Sequence, residues 1–148
     1  MLINLLLAAI LAFQAPPSSA AEWTASGNAK LDAGDPDGAL QDYLKAIGLE
    51  PKHAPAWNGR AIARQRKGDL DGALQDFTRA VDLDPTEVYY RNRASAKRQQ
   101  SDLRGAITDL SKAIEINPKY AEAYVARATA RLAFDDLNGS LGDFRKAL

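Results

Sequence analysis

Beyond about residue 20 the apolar positions fall in stripes spaced three and four apart, the period of a helix with one buried face, and the stripes themselves recur. Ala39 to Ala46 reads ALQDYLKA. The same pattern returns 34 positions on as ALQDFTRA from Ala73 to Ala80, 33 further on as AITDLSKA from Ala106 to Ala113, and 34 beyond that as SLGDFRKA from Ser140 to Ala147. A second, shorter stripe precedes each of these, as in Trp57 and Ala61. Gly34 and Gly68 interrupt the chain between the two stripes, and Asp35, Asp69, Asp102 and Asp136 stand where the following helix needs an N-cap. Pro51, Pro85 and Pro118 end that helix, because proline has no N–H to give and forces its predecessor out of helical geometry. Each block is therefore a helix, a turn and a helix. Such a unit cannot bury its apolar stripe alone and must stack on a neighbour, which predicts an all-α solenoid.

These residues resemble the tetratricopeptide repeat (TPR) family. The skeleton is carried by Trp23, Gly27, Ala39, Tyr43, Ala46 and Pro51, and next by Trp57, Ala61, Ala73, Phe77, Ala80 and Pro85. Tyr90, Ala94, Ala106, Leu110, Ala113 and Pro118 follow, then Tyr124, Ala128, Ser140, Phe144 and Ala147. The resemblance implies a right-handed superhelix of antiparallel helix pairs whose first helices line a concave, segment-binding face. It divides the chain into units at 22–53, 54–86, 87–120 and an incomplete 121–148, nearly four repeats without a C-terminal capping helix. Where the family usually has a large aromatic before the turn, this sequence has Lys30, Arg64, Lys97 and Arg131, so that part of the packing must be made differently. Leu141, Phe144 and Leu148 lie on the last helix with no neighbour to cover them, a possible terminal interface for a partner or a second copy, unless the sequence is an incomplete version of a longer array.

The amino-terminal segment is unlike the rest. Met1 to Phe13 carry no charged side chain, and small residues follow at Ser18 to Ala21. The run is too short to span a bilayer, which takes about 20 apolar residues, and it reads as the core of a secretory signal at 1–21. That implies export to a periplasmic or extracellular compartment. An uncleaved segment tethering the chain to a membrane and a buried first helix are the alternatives. The chain has no cysteine, which removes disulfides, thiolate metal sites and thiol nucleophiles together.

Nineteen Lys and Arg balance 19 Asp and Glu, but the balance is a sum over unlike layers. Arg60, Arg64, Arg66 and Lys67 on one first helix, and Arg91, Arg93, Lys97 and Arg98 on the next, stand without a single acid; the second helices are richer in Asp. Equivalent positions suggest a ladder of ion pairs between successive units: Asp42 with Arg60, Asp76 with Arg93, and Asp109 with Arg127, leaving Asp143 without a successor. The positions the family turns into its groove are Thr24, Asn28, Leu31, Asp32, Asn58, Ile62, Gln65 and Arg66, then Val88, Arg91, Ser95, Arg98, Gln99, Glu122, Val125, Thr129, Leu132 and Ala133. Of these, Asn28, Asn58, Gln65, Arg66, Arg91, Arg98 and Gln99 are the candidate peptide groove. Amides bond an extended backbone and arginine grips a carboxylate through two parallel bonds, so a peptide segment of acidic character is the expected partner.

Other chemistry finds little support. His53 is the only histidine and has no companion ligand or nucleophile; it reads as a loop or cap residue. Asp135 and Asp136 read as capping, and Asn138-Gly139-Ser140 is a formal glycosylation sequon inside a repeat. Gly38, Gly72, Gly105 and Gly139 recur once per unit, so they form no phosphate loop, yet each costs helix stability for no reason visible in the sequence. The family's chaperone-binding members clamp a terminal carboxylate with a Lys/Asn/Asn/Lys/Arg set. In register this chain offers Thr24, Asn28, Gly59, Val88 and Asn92, which matches only at Asn28. RNA readers stack bases on aromatic side chains, and the groove positions contain none, with Trp23, Trp57, Tyr90 and Tyr124 expected in the core. The expectation is a non-enzymatic scaffold that binds a protein or peptide, uses no metal or cofactor, and binds no nucleic acid; the alternative is a self-assembling or complex-subunit module using its last helix.

Overall fold

The computed structural model describes residues 16–148. The apolar run at 1–13 lies outside them, and no described helix is long and apolar enough to cross a membrane. Eight helices are described: α1 (Ala20–Asp32), α2 (Pro36–Leu49), α3 (Ala54–Arg66), α4 (Leu70–Leu83), α5 (Glu87–Gln99), α6 (Leu103–Ile116), α7 (Ala121–Ala133) and α8 (Leu137–Lys146). They pack as four consecutive pairs, each pair leaning on the next, and α1, α3, α5 and α7 also touch in succession to form one face. α1 begins at Ala20, inside the segment read as an export signal, and a capping box between Ser19 and Glu22 starts it.

The turn chemistry explains the recurrent glycines. Asp35, Asp69, Asp102 and Asp136 cap the second helices, each accepting from the N–H of Gly38, Gly72, Gly105 or Gly139 at 2.8 to 2.9 Å. A Cβ at any of these glycines would overlap the capping carboxylate. The helix-propensity cost of about 1 kcal/mol is offset by a cap of similar worth. Before each cap the chain passes through a left-handed residue, which is Gly34 (φ 80°) and Gly68 (φ 85°) in the first two turns but Ser101 (φ 66°) and Asp135 (φ 61°) in the last two. Of the acidic pair in the last turn, therefore, only Asp136 is a cap, and Asp135 holds the reversal. Pro51, Pro85 and Pro118 directly follow the C-caps Glu50, Asp84 and Asn117, as expected.

Alanines and one large side chain per second helix make the core. Tyr43 and Phe77 are fully buried and Leu110 nearly so, each under a first helix of the following pair. Tyr43 is the tightest case. Its ring lies against Gly27 of its own unit and Gly59 of the next, and a Cβ at either would strike it. That is why glycine stands at position 59. The once-per-unit aromatics expected in the core are only partly there: Tyr124 is buried, whereas Trp23, Trp57 and Tyr90 are half-buried. A cation covers each ring, Lys45 over Trp23 (4.0 Å), Arg60 over Trp57 (4.7 Å), Arg93 over Tyr90 (5.5 Å) and Arg127 over Tyr124 (5.7 Å).

Candidate functional site

The arginines of the first helices divide into two populations. The first belongs to a seam inside each pair. Arg60 grips Asp76 with Nε and an NH2 nitrogen, both at 2.7 Å, and Arg64 adds a third bond to the same carboxylate at 2.8 Å. Arg93 and Lys97 repeat this on Asp109, and Arg127 and Arg131 on Asp143. In the first unit Ser26 replaces the fork and Lys30 supplies the charge to Asp42, at 2.6 and 2.7 Å. The four aspartates are 1 to 3% exposed.

This corrects the expected ladder. The carboxylates pair within their own unit rather than with the next, and Asp143 has its partners. The reason is helical phase: neighbours on a helix are turned by about 100°, so while Phe77 points at the following pair, Asp76 points back at its own first helix. Only Arg127 also reaches the preceding unit, donating to Ser111 Oγ at 3.0 Å. The cations that replace the family's aromatic, Lys30, Arg64, Lys97 and Arg131, are thus the second arm of the seam. The supposedly acidic outer layer is correspondingly weaker, since its Asp42 and Asp76 are interior.

Burial pushes Asp42 toward its neutral form, but hydrogen bonds from Lys30 and Ser26 and the charges of Lys30 and Lys45 outweigh it and hold the carboxyl below the ordinary value of 3.8. Asp109 acts oppositely on Arg93: its hydrogen bond raises the guanidinium's already high pKa against the cost of burial.

The second population is Arg66, Arg91 and Arg98, which form no ion pair among the described residues and lie on the inner face. Two depressions occupy that face. One, of about 310 Å³ between α1 and α3, is lined by Asn28, Asn58, Ile62, Arg66, Tyr43 and Tyr89, among others. The other, of about 210 Å³ between α5 and α7, is lined by Arg91, Ala94, Ser95, Arg98, Leu110, Ala126 and Thr129. Gln65 lies between them, donating to Ser95 Oγ at 3.3 Å, and Asn92 donates to Asn58 Oδ1 at 2.9 Å. Gln99, exposed at the end of α5, lines neither. Arg66 donates to the Leu31 carbonyl at 2.7 Å, and Asn28 Oδ1 accepts from the Tyr43 hydroxyl at 2.7 Å. Burial pushes that hydroxyl up to about 12.

Of the groove residues named from the sequence, Asn28, Asn58 and Arg66 therefore line one hollow, Arg91 and Arg98 the other, and Gln65 and Gln99 neither, while two aromatics join the first hollow. Tyr43 is a core residue whose hydroxyl alone reaches the groove. Tyr89, beside the recurrent Tyr90, lines the α1–α3 hollow, so the inner face is not free of aromatic side chains. At the far end, Leu141 (51% exposed), Phe144 (39%) and Leu148 are open. Their equivalents Leu40, Leu74 and Ile107, then Tyr43, Phe77 and Leu110, and Ile47, Val81 and Ile114 are buried or half-buried. His53 occupies the N-cap position of α3 without a side-chain cap bond.

Two family models match the chain, one described as tetratricopeptide repeat over residues 24–88 and one as TPR repeat over residues 94–133. The chain belongs to the tetratricopeptide repeat family. The TPR array is a helical solenoid superposable on solved members. The crystal structure of MamA matches with a TM-score of 0.80 at 21% identity, covering 86% of this chain and 75% of that one. A MamA fragment, residues 41 to the end, from Desulfovibrio magneticus RS-1 gives 0.79 at 19%, covering 87% and 73%. The first TPR of Spaghetti (RPAP3), bound to the HSP90 peptide SRMEEVD, gives 0.76 at 24%, covering 79% and 96%. At these identities the likeness is one of fold. None of the curated proteins matches the chain.

Proposed function

We propose that this TPR chain is a non-enzymatic scaffold that binds a peptide segment of acidic character along the face made by α1, α3, α5 and α7. One observation carries the reading. Every first-helix cation that faces its own second helix is matched to an aspartate, whereas Arg66, Arg91 and Arg98, on the inner face, are matched to none. Unmatched arginines beside amides are what an anionic segment needs, since the segment brings the missing charge. The solved relative in complex with SRMEEVD is a precedent for peptide binding by this fold. The chain works after export to the periplasm or beyond, and the apolar amino-terminal run is its signal. A pull-down from the exported fraction of the source tests this: partners retained by the wild type and lost by an Arg66→Ala, Arg91→Ala, Arg98→Ala variant support it, and equal retention by both contradicts it.

A second reading is favoured by the exposure of α8. Leu141, Phe144 and Leu148 carry the pattern that internal units cover, so this face suits a further helix, from a continuation of the repeat array, another subunit or a second copy of the chain. Light scattering across a concentration series, with Phe144→Glu as the control, distinguishes the readings. Oligomers that vanish in the variant favour assembly through α8.

A further inference from the structure

The hollow between α5 and α7 has an unanswered hydrogen-bond donor. Arg91 Nε is buried, and among the described residues it is the one buried side-chain nitrogen or oxygen without a hydrogen-bond partner. Buried polar groups are nearly always satisfied, so a guanidinium that lines a hollow with Nε unbonded and its terminal nitrogens accessible and equally unbonded calls for a specific cause. Asp109 does not answer it, being held on the seam side of α5 by Arg93 and Lys97. The Arg91 guanidinium carbon lies over the Tyr120 ring, 5.9 Å from its centroid, a cation–π contact that gives Nε no acceptor. Arg98 lies two helical turns along the same face and has no carboxylate either. Between them, Ser95 accepts from Gln65 and so keeps its own O–H to donate. Across the hollow, Thr129 donates to the Val125 carbonyl at 2.9 Å and so presents only lone pairs, which suits a peptide N–H. The floor is apolar, made by Ala94, Leu110 and Ala126.

We infer that this hollow seats one acidic side chain, Asp or Glu, of the bound segment. Its carboxylate takes donors from the terminal nitrogens of Arg91, Ser95 Oγ and Arg98, and its aliphatic part lies on the apolar floor. The inference rests on the peptide-scaffold reading above and adds a place to it. The α1–α3 hollow, where Arg66 and Asn28 already spend bonds on Leu31 and Tyr43, holds backbone and apolar groups and selects little by charge. In the register where other members are said to clamp a terminal carboxylate this chain has Thr24, Asn28, Gly59, Val88 and Asn92 and matches only at Asn28, so the recognised group is a side chain.

The test is a positional-scanning array of octapeptides, acetylated and amidated so that neither end is charged, probed with the full chain. Each position carries Asp, Glu, Asn, Gln, phosphoserine or Ala in turn. The wild type is expected to prefer Asp or Glu over Asn or Gln at one position by about tenfold. That preference should fall below about twofold in Arg91→Gln/Arg98→Gln while weaker binding persists, and should survive in Arg66→Gln, with circular dichroism reporting all three folded. Retention of the preference by the double variant overturns the inference and leaves the scaffold reading standing, as does selection of phosphoserine with indifference to Asp and Glu. Failure of every blocked peptide to bind overturns both.

Discussion

Arg91 and Arg93 sit two positions apart on α5, carry the same side chain, and do opposite things. Arg93 is locked onto Asp109 by two bonds of 2.8 Å and covers the Tyr90 ring. Arg91 lines a hollow with a buried nitrogen that bonds nothing. Two positions turn a helix by about 200°, so one arginine faces the seam and its neighbour faces the groove. Residue type therefore says little about role in this array, and phase within the repeat says most. The seam pairs its charge inside the fold, and the groove side leaves its charge unpaired among the described residues.

Removing a seam carboxylate is the strongest way to break the contrast. Asp76→Ala leaves Arg60 partly buried with no counter-charge and Arg64 with only Asp69 at 3.6 Å, and urea unfolding should show a loss of about 3 to 5 kcal/mol. No groove substitution should approach that: Arg66→Ala should stay within about 1 kcal/mol of wild type in the same assay. Packing between units should come next. Gly59→Ala drives a methyl into the buried Tyr43 ring, and thermal unfolding should report about 1 to 3 kcal/mol of destabilisation.

Smaller effects sharpen the first unit, where seam and groove meet through Tyr43. Tyr43→Phe removes the bond to Asn28 and should cost about 1 kcal/mol. Ultraviolet titration should find this hydroxyl ionising near 12, above an ordinary tyrosine at 10.0, and the variant should lose that phase while keeping Tyr89, which burial also raises. Asp42 supplies the pH dependence. Because its folded pKa lies below 3.8, its contribution is present above that pH and is lost as the pH falls through the lower folded value. Lys30→Met removes the main group holding it down while burial remains, so the acid unfolding midpoint should move to higher pH. An unchanged midpoint would place the effect elsewhere.

The repeat register, the Asp caps and the proline stops were legible in the sequence because each is a local, periodic signal. The groove was legible as a set of helix positions, and Asn28, Asn58 and Arg66 do line one hollow, with Arg91 and Arg98 in another. Pairing partners were not. Asp42 to Arg60 and Arg60 to Asp76 are separations of 18 and 16, and choosing between them takes the direction of a side chain, which a one-dimensional pattern does not carry. The glycines at 38, 72, 105 and 139 looked like a cost for the same reason, since the carboxylate that fills their missing Cβ is fixed only by the turn geometry.

The central claim is the division of labour along α5, and one comparison addresses it most directly: urea unfolding of Arg91→Ala beside Arg93→Ala. Arg93→Ala deprives Asp109 of two charge-assisted bonds while Lys97 remains, so it should lose about 2 kcal/mol. Arg91→Ala should lose less than about 1 kcal/mol, because the atom it removes has no bond to break. Equal losses from the two, or a larger loss from Arg91→Ala, would contradict the account.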